Sequence, residues 1–517
     1  MKHKFTSWLK IRKVFTIILL IILLWSNNLA IAEARTNNDQ ASFIAPYLER
    51  VIKQVTEFKL DNGLKFIILE NHDAPTISFV TYANVGGVDE PDGQTGVAHF
   101  LEHLAFKGTQ EIGTTNYETE AELLAHLDQI FEKIQAARTT GDESKFAQLQ
   151  AEFEQVQKKA NQYVKQNEYG QIVEIAGGVG LNAVTSSDYT MYFYSFPSNK
   201  LELWMSLESE RFLEPVFREF HQEKDVILEE RRLRTDNSPI GKLFEVFLDT
   251  AFTTHPYKRP IIGYQEDIEN LTRSDVEQFF ETYYPPSNLT IAIVGDVDSK
   301  EVKKLAQTYF GRFPARSKPP KVTATEPPQT ETREVTLELA SEPWYVEGYH
   351  RPNINDPDNI IYSLIASLMG DGRTSRLYKS LVEDQQVALL ARSASVYPGD
   401  RYDNLMLFYA LTAPNHSLDD VQLALRKELE LLKSEPVSQE ELDRVKTQAK
   451  AGILRGLNST LGMAQSLAEY DAKTGDWRNL FRELDAIAAV TVEDIQRVAQ
   501  KTFIPENMTV GKLVSNR

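Results

Sequence analysis

The sequence predicts an α+β chain of two homologous halves, each a mostly antiparallel sheet with helices packed on it, the first half carrying a helical hairpin insertion. Three observations lead there. Strand-like and helix-like hydrophobic periods alternate through both ends of the chain, one helix-turn-strand segment recurs without a gap, and the stretch between the two ends loses periodicity. The 517 residues are enough for two or more domains, and a 42% hydrophobic content can fill their cores.

Residues 1–32 read as an export signal. Lys2, Lys4, Lys10, Arg12 and Lys13 precede an apolar run from Val14 to Trp25, and Ala30-Ile31-Ala32 offers small residues for cleavage. The run is shorter than a membrane span, although an uncleaved signal would anchor the chain. An exported protein, periplasmic or extracellular, is expected. Losing the signal's five Lys/Arg residues takes the formal charge from -18 to -23. Such acidity excludes a nucleic-acid binder, which needs a cationic face. With no cysteine, the chain has no disulfides, and any metal site must use His and carboxylate.

After a helical lead-in, Gln54 to Leu69 carries β-formers on both sides of Asn62-Gly63, the pattern of a tight hairpin, and Thr76 to Val85 reads as another strand. A helix begins near Thr95. From Glu118 to Val164 the pattern is helical with a break at Thr139-Thr140-Gly141-Asp142. Its stripes Leu123, Leu127, Ile130, Ile134 and Phe146, Leu149, Phe153, Val156 predict two antiparallel helices, so the hairpin insertion is set at about 118–168. Leu181 to Phe196 is β-rich, and two helical stretches between Lys200 and Arg234 meet at Glu214-Pro215. Asn288 to Val294 reads as a buried strand, followed by a helix from Ser299 to Tyr309.

From Phe313 to Arg333, proline, threonine and charge replace periodicity, which places a linker at 314–333 between a first half, 48–313, and a second, 334–517. The repeat joins the halves as homologues. Thr272 to Thr290 aligns with Thr491 to Thr509, pairing Thr272 with Thr491, Asp275 with Asp494, Pro286 with Pro505 and Asn288 with Asn507.

The chemistry lies in His99-Phe100-Leu101-Glu102-His103. On a helix the two histidines, i and i+4, project from one face one turn apart and can grip one zinc ion, while Glu102 stands beside them. A chain with nine histidines holds this pattern by chance roughly once in a hundred sequences. Hydrolytic zinc needs a third protein ligand and an open position for water. In His221 to Arg234 (HQEKDVILEERRLR), Glu223 and Glu230 share a helix face, so Glu230 can ligate while Glu223 orients a ligand. Alone, that stretch reads first as a solvated face of Glu-Lys and Glu-Arg pairs, the usual meaning of such charge.

With these residues in view, the chain resembles the inverted-motif zinc peptidases of the pitrilysin, insulinase and mitochondrial-processing-peptidase family. The likeness runs from Phe58 to Phe313 and includes Leu60-Asp61-Asn62-Gly63, Gly96 to Thr109 (GVAHFLEHLAFKGT), Gly177 to Thr190 (GGVGLNAVTSSDYT) and Asp225 to Arg231 (DVILEER). It implies a zinc metalloendopeptidase acting on peptides or unfolded segments. One zinc per chain would be held by His99, His103 and Glu230, with Glu102 as general base and Glu223 in support. It also implies that Asn182 and Ala183 sit on an edge strand that binds an extended substrate.

Two features depart from the family. The excess length between His103 and Glu230 coincides with the helical hairpin, which would cover the cleft, dock a partner or stand as a solvated decoration. In Leu381 to Leu389 (LVEDQQVAL), Val382 and Leu389 occupy the places of an Arg and a Tyr that help stabilise the tetrahedral intermediate, and neither can donate a hydrogen bond. The resemblance therefore implies a second family-related subunit supplying that Arg and Tyr, in a heterodimer, or else a homodimer.

Overall fold

Each half begins as a hairpin or strand that joins a sheet, and the two sheets share one topology. The computed structural model describes residues 49–516, so the export signal at 1–32 lies outside the described residues. Residues 49–54 are helical. The first sheet is built from β1 (Val55–Lys59), β2 (Lys65–Glu70), β3 (Thr76–Ala83), β4 (Val179–Thr185), β5 (Thr190–Pro197) and β6 (Leu289–Gly295), in the order β1-β2-β6-β3-β5-β4. The second contains β7 (Arg333–Leu339), β8 (Trp344–Arg351), β9 (Ala388–Tyr397), β10 (Asn404–Thr412) and β11 (Met508–Ser515), in the order β7-β11-β8-β10-β9. β2 pairs with β6 and β7 with β11 in parallel, while β3, β4, β5 and β6 match β8, β9, β10 and β11 in antiparallel pairing.

The turn at Asn62-Gly63 forms as expected, with Gly63 at φ 96° and the Leu60 N–H donating to the Leu64 carbonyl at 2.9 Å. Asn62 does more than turn the chain. Its amide donates to the carbonyls of Phe310, 2.8 Å, and Phe313, 3.2 Å, tying the opening hairpin to the end of the first half.

The first-half helices are α1 (Val97–Leu104), α2 (Tyr117–Thr140), α3 (Glu143–Ala160), α4 (Glu168–Ile175), α5 (Leu201–Leu213), α6 (Phe220–Arg231), α7 (Pro239–Ala251), α8 (Gln265–Asn270), α9 (Arg273–Tyr283) and α10 (Ser299–Tyr309). The second half follows with α11 (Asn359–Gly370), α12 (Leu418–Ser434), α13 (Gln439–Gly456), α14 (Thr460–Thr474), α15 (Asn479–Ala489) and α16 (Val492–Thr502). Among the described residues no helix is long and apolar enough to cross a membrane.

The repeat is reproduced in detail. Thr272 with Asp275 caps α9, and Thr491 with Asp494 caps α16 by the same reciprocal bonds. After each helix an asparagine amide ties the turn to the helix end and to the neighbouring strand. Asn288 donates to the carbonyls of Tyr283, 2.8 Å, and Asn84, 3.2 Å; Asn507 donates to those of Thr502, 3.0 Å, and His350, 2.8 Å.

Each half also covers the other's sheet. α7 of the first half packs on β7 and β11, and its Phe247 presses so close to β8 that a side chain at Gly348 would sit 2.7 Å from its ring. α14 of the second half packs on β3 and β6, and Thr460 Oγ1 meets Ser78 Oγ at 2.7 Å. Hence Val88, Leu243, Phe247, Val346, Leu405 and Leu513 form one core spanning both halves. Between the sheets, residues 314–332 carry no helix or strand. They are nonetheless docked, because the Glu326 carboxylate accepts the N–H groups of Thr253, Thr254 and His255 at 2.8 to 3.0 Å.

Candidate active site

α1 begins at Gly96, which takes a left-handed conformation, φ 89°, and backs onto Gly263 and the Ile262 carbonyl so closely that a side chain there would clash. The buried carboxyl of Glu90 accepts the N–H groups of Gly96, 2.9 Å, and Ala98, 3.0 Å, at the helix start. Burial pushes its pKa up to about 8 against those bonds. Val97, Ala98, Phe100, Leu101 and Leu104 are buried, which fixes the helix rotation and turns His99 and His103 to one side with ring centres 4.9 Å apart.

α6 meets that side. The Nε2 atoms of His99 and His103 lie 3.9 and 3.7 Å from the two oxygens of Glu230, and the three residues can offer ligand atoms all within 4.8 Å of one another. One turn pair earlier on the same face, Glu223 Oε2 lies 3.3 Å from His103 Nδ1, so the two glutamates of α6 reach the two nitrogens of one imidazole. His99 Nδ1 is buried without a hydrogen-bond partner. Two imidazoles and a carboxylate facing one point, with a cleft in front, suit a catalytic zinc with an open position.

The electrostatics favour the same use. Burial, with His103 and Arg234 nearby, pulls the pKa of His99 down to about 3, leaving a neutral ring with a free lone pair. Burial also opposes charge on His103, but the Glu223 bond and the surrounding carboxylates outweigh it and raise its pKa. Burial raises the Glu102 pKa, against the Thr185 hydroxyl that donates to it at 2.5 Å. A carboxylate so placed accepts a proton readily. Glu223 is held low, its own burial outweighed by His103 and by Lys107 Nζ at 2.5 Å.

These groups open onto a cleft of about 800 Å³ lined from both halves. β4 forms one wall as the edge of its sheet, with Asn182 to Thr185 exposed to the cleft. The Ala183 N–H is taken by the Oδ1 of Asn182 at 2.9 Å. The second half contributes Tyr397 and Pro398, whereas Val382 packs against that half's core and neither it nor Leu389 lines the cleft.

The helical hairpin of α2 and α3 has the buried stripes its sequence predicts, but it neither covers the cleft nor stands free in solvent. It backs α6. Phe131 and Phe153 pack on His221 with ring centres 5.0 and 4.7 Å away, and Lys224 Nζ lies 4.4 Å over the Phe131 ring. Glu120 meets Arg218 at 2.9 Å with both side chains buried, and Arg218 also donates to the carbonyls of Lys107, Thr109 and Ile112 just after α1. Arg218, just before α6, therefore ties that helix both to the hairpin, through Glu120, and to the segment after α1, through the three carbonyls.

Sequence reasoning missed Thr185, Lys107 and Arg234. Lys107 follows His103 by four residues, and Arg234, whose Nη1 lies 2.7 Å from Glu230 Oε1, follows Glu230 by four. That spacing could have flagged both. Nothing local marks Thr185, which reaches Glu102 only through the fold.

Known proteins resemble this chain along most of its length. The description Insulinase (Peptidase family M16) matches residues 65–128 and 154–265, and Peptidase M16 inactive domain matches 270–449. The unmatched 129–153 is the distal part of the hairpin. The zinc protease PqqE of Helicobacter pylori is 30% identical over 86% of this chain and 89% of its own length. The mitochondrial-processing peptidase subunit beta of Lentinula edodes is 25% identical over 86% of each chain. A crystal structure of a protease from Helicobacter pylori superposes with a TM-score of 0.75 at 28% identity, covering 89% of this chain and 99% of that one.

Proposed function

The chain belongs to the insulinase family, peptidase family M16, and is a zinc metallopeptidase; from that premise we propose that His99, His103 and Glu230 hold one zinc ion per chain and that Glu102 is the general base of an endopeptidase. A zinc ion held there supplies a Lewis acid that polarises the scissile carbonyl and acidifies a water. Glu102 takes the proton from the attacking water and delivers it to the leaving amine, and no covalent intermediate forms. Thr185 holds that carboxylate toward the cleft. Glu223 fixes the His103 ring, and Lys107 keeps Glu223 ionised. A peptide adding to β4 displaces Asn182 Oδ1 from the Ala183 N–H and takes that donor for its own backbone.

The observation that carries this reading is the convergence of the three donor residues within 4.8 Å beside Glu102 in the cleft. Its test is Glu102→Gln. The variant should bind zinc with unchanged stoichiometry and lose peptide cleavage by about 10²- to 10⁴-fold. Unchanged cleavage would remove Glu102 from the role.

The reading extends to a catalytic subunit of a heterodimer. Val382 and Leu389 offer no oxyanion donor, and a second copy of the chain would bring the same two residues. A relative named as a subunit supports pairing. A family-related partner then supplies the Arg and Tyr, and full activity from the pure chain would sink the idea. Export to the periplasm or the exterior rests on the amino-terminal pattern, and fractionation of cells producing the full chain tests it.

A further inference from the structure

The edge strand β4 continues past the cleft as an apolar row. Its pairing with β5 sets Val184 opposite Met191, Asn182 opposite Phe193 and Val179 opposite Ser195, and a bulge between Val179 and Asn182 absorbs the extra residue. The three β5 partners alternate, so Val184, Asn182 and Val179 all point to one face of the sheet. That face is turned toward the second half, since Ser195 Oγ meets Ser78 Oγ at 2.8 Å and Ser78 in turn meets Thr460 of α14. Val184 lines the cleft at 39% exposure, and Val179 stands beyond it at 66%. Large side chains this exposed, in line with a cleft, mark a contact surface.

Resting on the reading of β4 as the substrate strand, we infer that Val184 and Val179 form a recognition row for extended polypeptide with two apolar side chains four residues apart. The spacing follows from the ladder. Met191 and Ser195 are four residues apart on the strand already paired with β4, and the bulge lies in β4 itself, so a regular strand added on the free edge meets Val184 and Val179 at positions i and i+4. The residue between them, i+2, faces Asn182. The substrate class is therefore an unfolded or unstructured segment that supplies this apolar pair on one side of the scissile bond. Folded surfaces seldom present it.

The test uses the full chain with zinc and the Glu102→Gln change, so that binding is read without turnover. Fluorescent peptides of about a dozen residues carry either two leucines or two serines at positions four apart, placed on either side of a fixed central pair. Binding should favour the leucine peptide of one series about five- to ten-fold, as expected for two cross-strand contacts of about two- to four-fold each. Val179→Ser with Val184→Ser should erase that preference, the leucine and serine peptides then binding alike. Equal binding of both peptides, or a preference that survives the double change, overturns the inference. So does a double change that alters the mass of the assembly but not peptide selectivity, since the row would then serve a partner chain. Cleavage by the parent chain without selectivity would sink this inference alone, whereas selective binding without any cleavage by the parent, either alone or joined by its partner subunit, would sink the peptidase mechanism alone.

Discussion

In the first half the helix that follows β3 is α1, which turns two imidazoles and a carboxylate toward a cleft. In the second half the helix that follows β8 is α11, and nearly all of it, from Ile360 to Gly370, is buried in that half's core. The strand order around the two helices is the same. One framework thus accepts either a polar site or plain packing at this place, and the chemistry hangs on a few side chains. What the second half gives in return is mechanical. It covers β3 and β6 with α14 and sends the turn after β9 into the first half. There Arg401 reaches Asp89 at 2.6 Å, and Asp188 accepts the N–H groups of Asp400 and Arg401 at 2.7 and 3.0 Å.

The sharpest way to separate chemistry from framework is to remove the metal. Chelation, or His103→Ala, should abolish cleavage, with zinc restoring it only to the unmutated chain. Both sheets should stay folded, because each rests on its own large apolar core. A far-UV circular dichroism spectrum that collapsed on chelation would break the comparison, since the site would then be holding up its half.

The next largest effect should come from the joint between the halves. Asp89 and Asp188 are buried, and Arg401 is the cation that meets both. Arg401→Ala strands two buried carboxylates, which typically costs about 3–5 kcal/mol. Arg401→Lys should cost less while losing the forked geometry. Denaturant unfolding would measure both, and a cost under about 1 kcal/mol for the alanine change would show that the joint does not depend on Arg401 and that other contacts, the apolar core of Phe247 among them, hold the halves.

A smaller and pH-dependent effect belongs to the segment joining the halves. Burial would raise the pKa of Glu326, but the N–H groups of Thr253, His255 and Thr254 outweigh it and hold the value at about 2, below the ordinary 4.5. A depressed pKa contributes stability above the unfolded value, lost as pH falls from about 4.5 toward 2. Glu326→Gln should cost about 1–3 kcal/mol at neutral pH. It should also flatten that part of the acid-unfolding profile, and a variant whose profile matched the parent's would sink the docking role.

The readable parts of this molecule were the local ones. His99, Glu102 and His103 stand out because helical spacing alone puts them together, and the turn at Asn62-Gly63 and the strand from Leu289 follow from short-range pattern. Glu230 needed the family resemblance, since its charged stretch looks like any solvated face until α1 packs against it. The exchange of α7 and α14 was invisible for a related reason. An apolar stripe says that a helix is buried but not which sheet buries it, and Phe247 finds its glycines about a hundred or more residues away in sequence. The hairpin stripes were equally legible, while its docking on α6 depends on Phe131, Phe153 and His221 meeting in space.

The finest comparison, a difference between two like costs, tests the homology itself. Asn288 and Asn507 occupy matching places in the repeat, and each amide bridges the end of its own helix to the neighbouring strand with two hydrogen bonds of 2.8 to 3.2 Å. Replacing either by alanine leaves two partly buried carbonyls without that donor, at a cost of about 1–3 kcal/mol. If the turns are the same device in both halves, the two costs should agree within about 0.5 kcal/mol and, being remote from each other, should add in the double variant. Denaturation midpoints of the two single variants and the double variant measure this. A first-half change much costlier than its counterpart would mean that Asn288 also carries strain from the active half, because its partner Asn84 carbonyl is also approached by Arg401 Nη1 at 3.3 Å. In that event Arg401→Ala combined with Asn288→Ala would cost less than the sum of the two, which distinguishes coupling through the joint from a plain difference in burial.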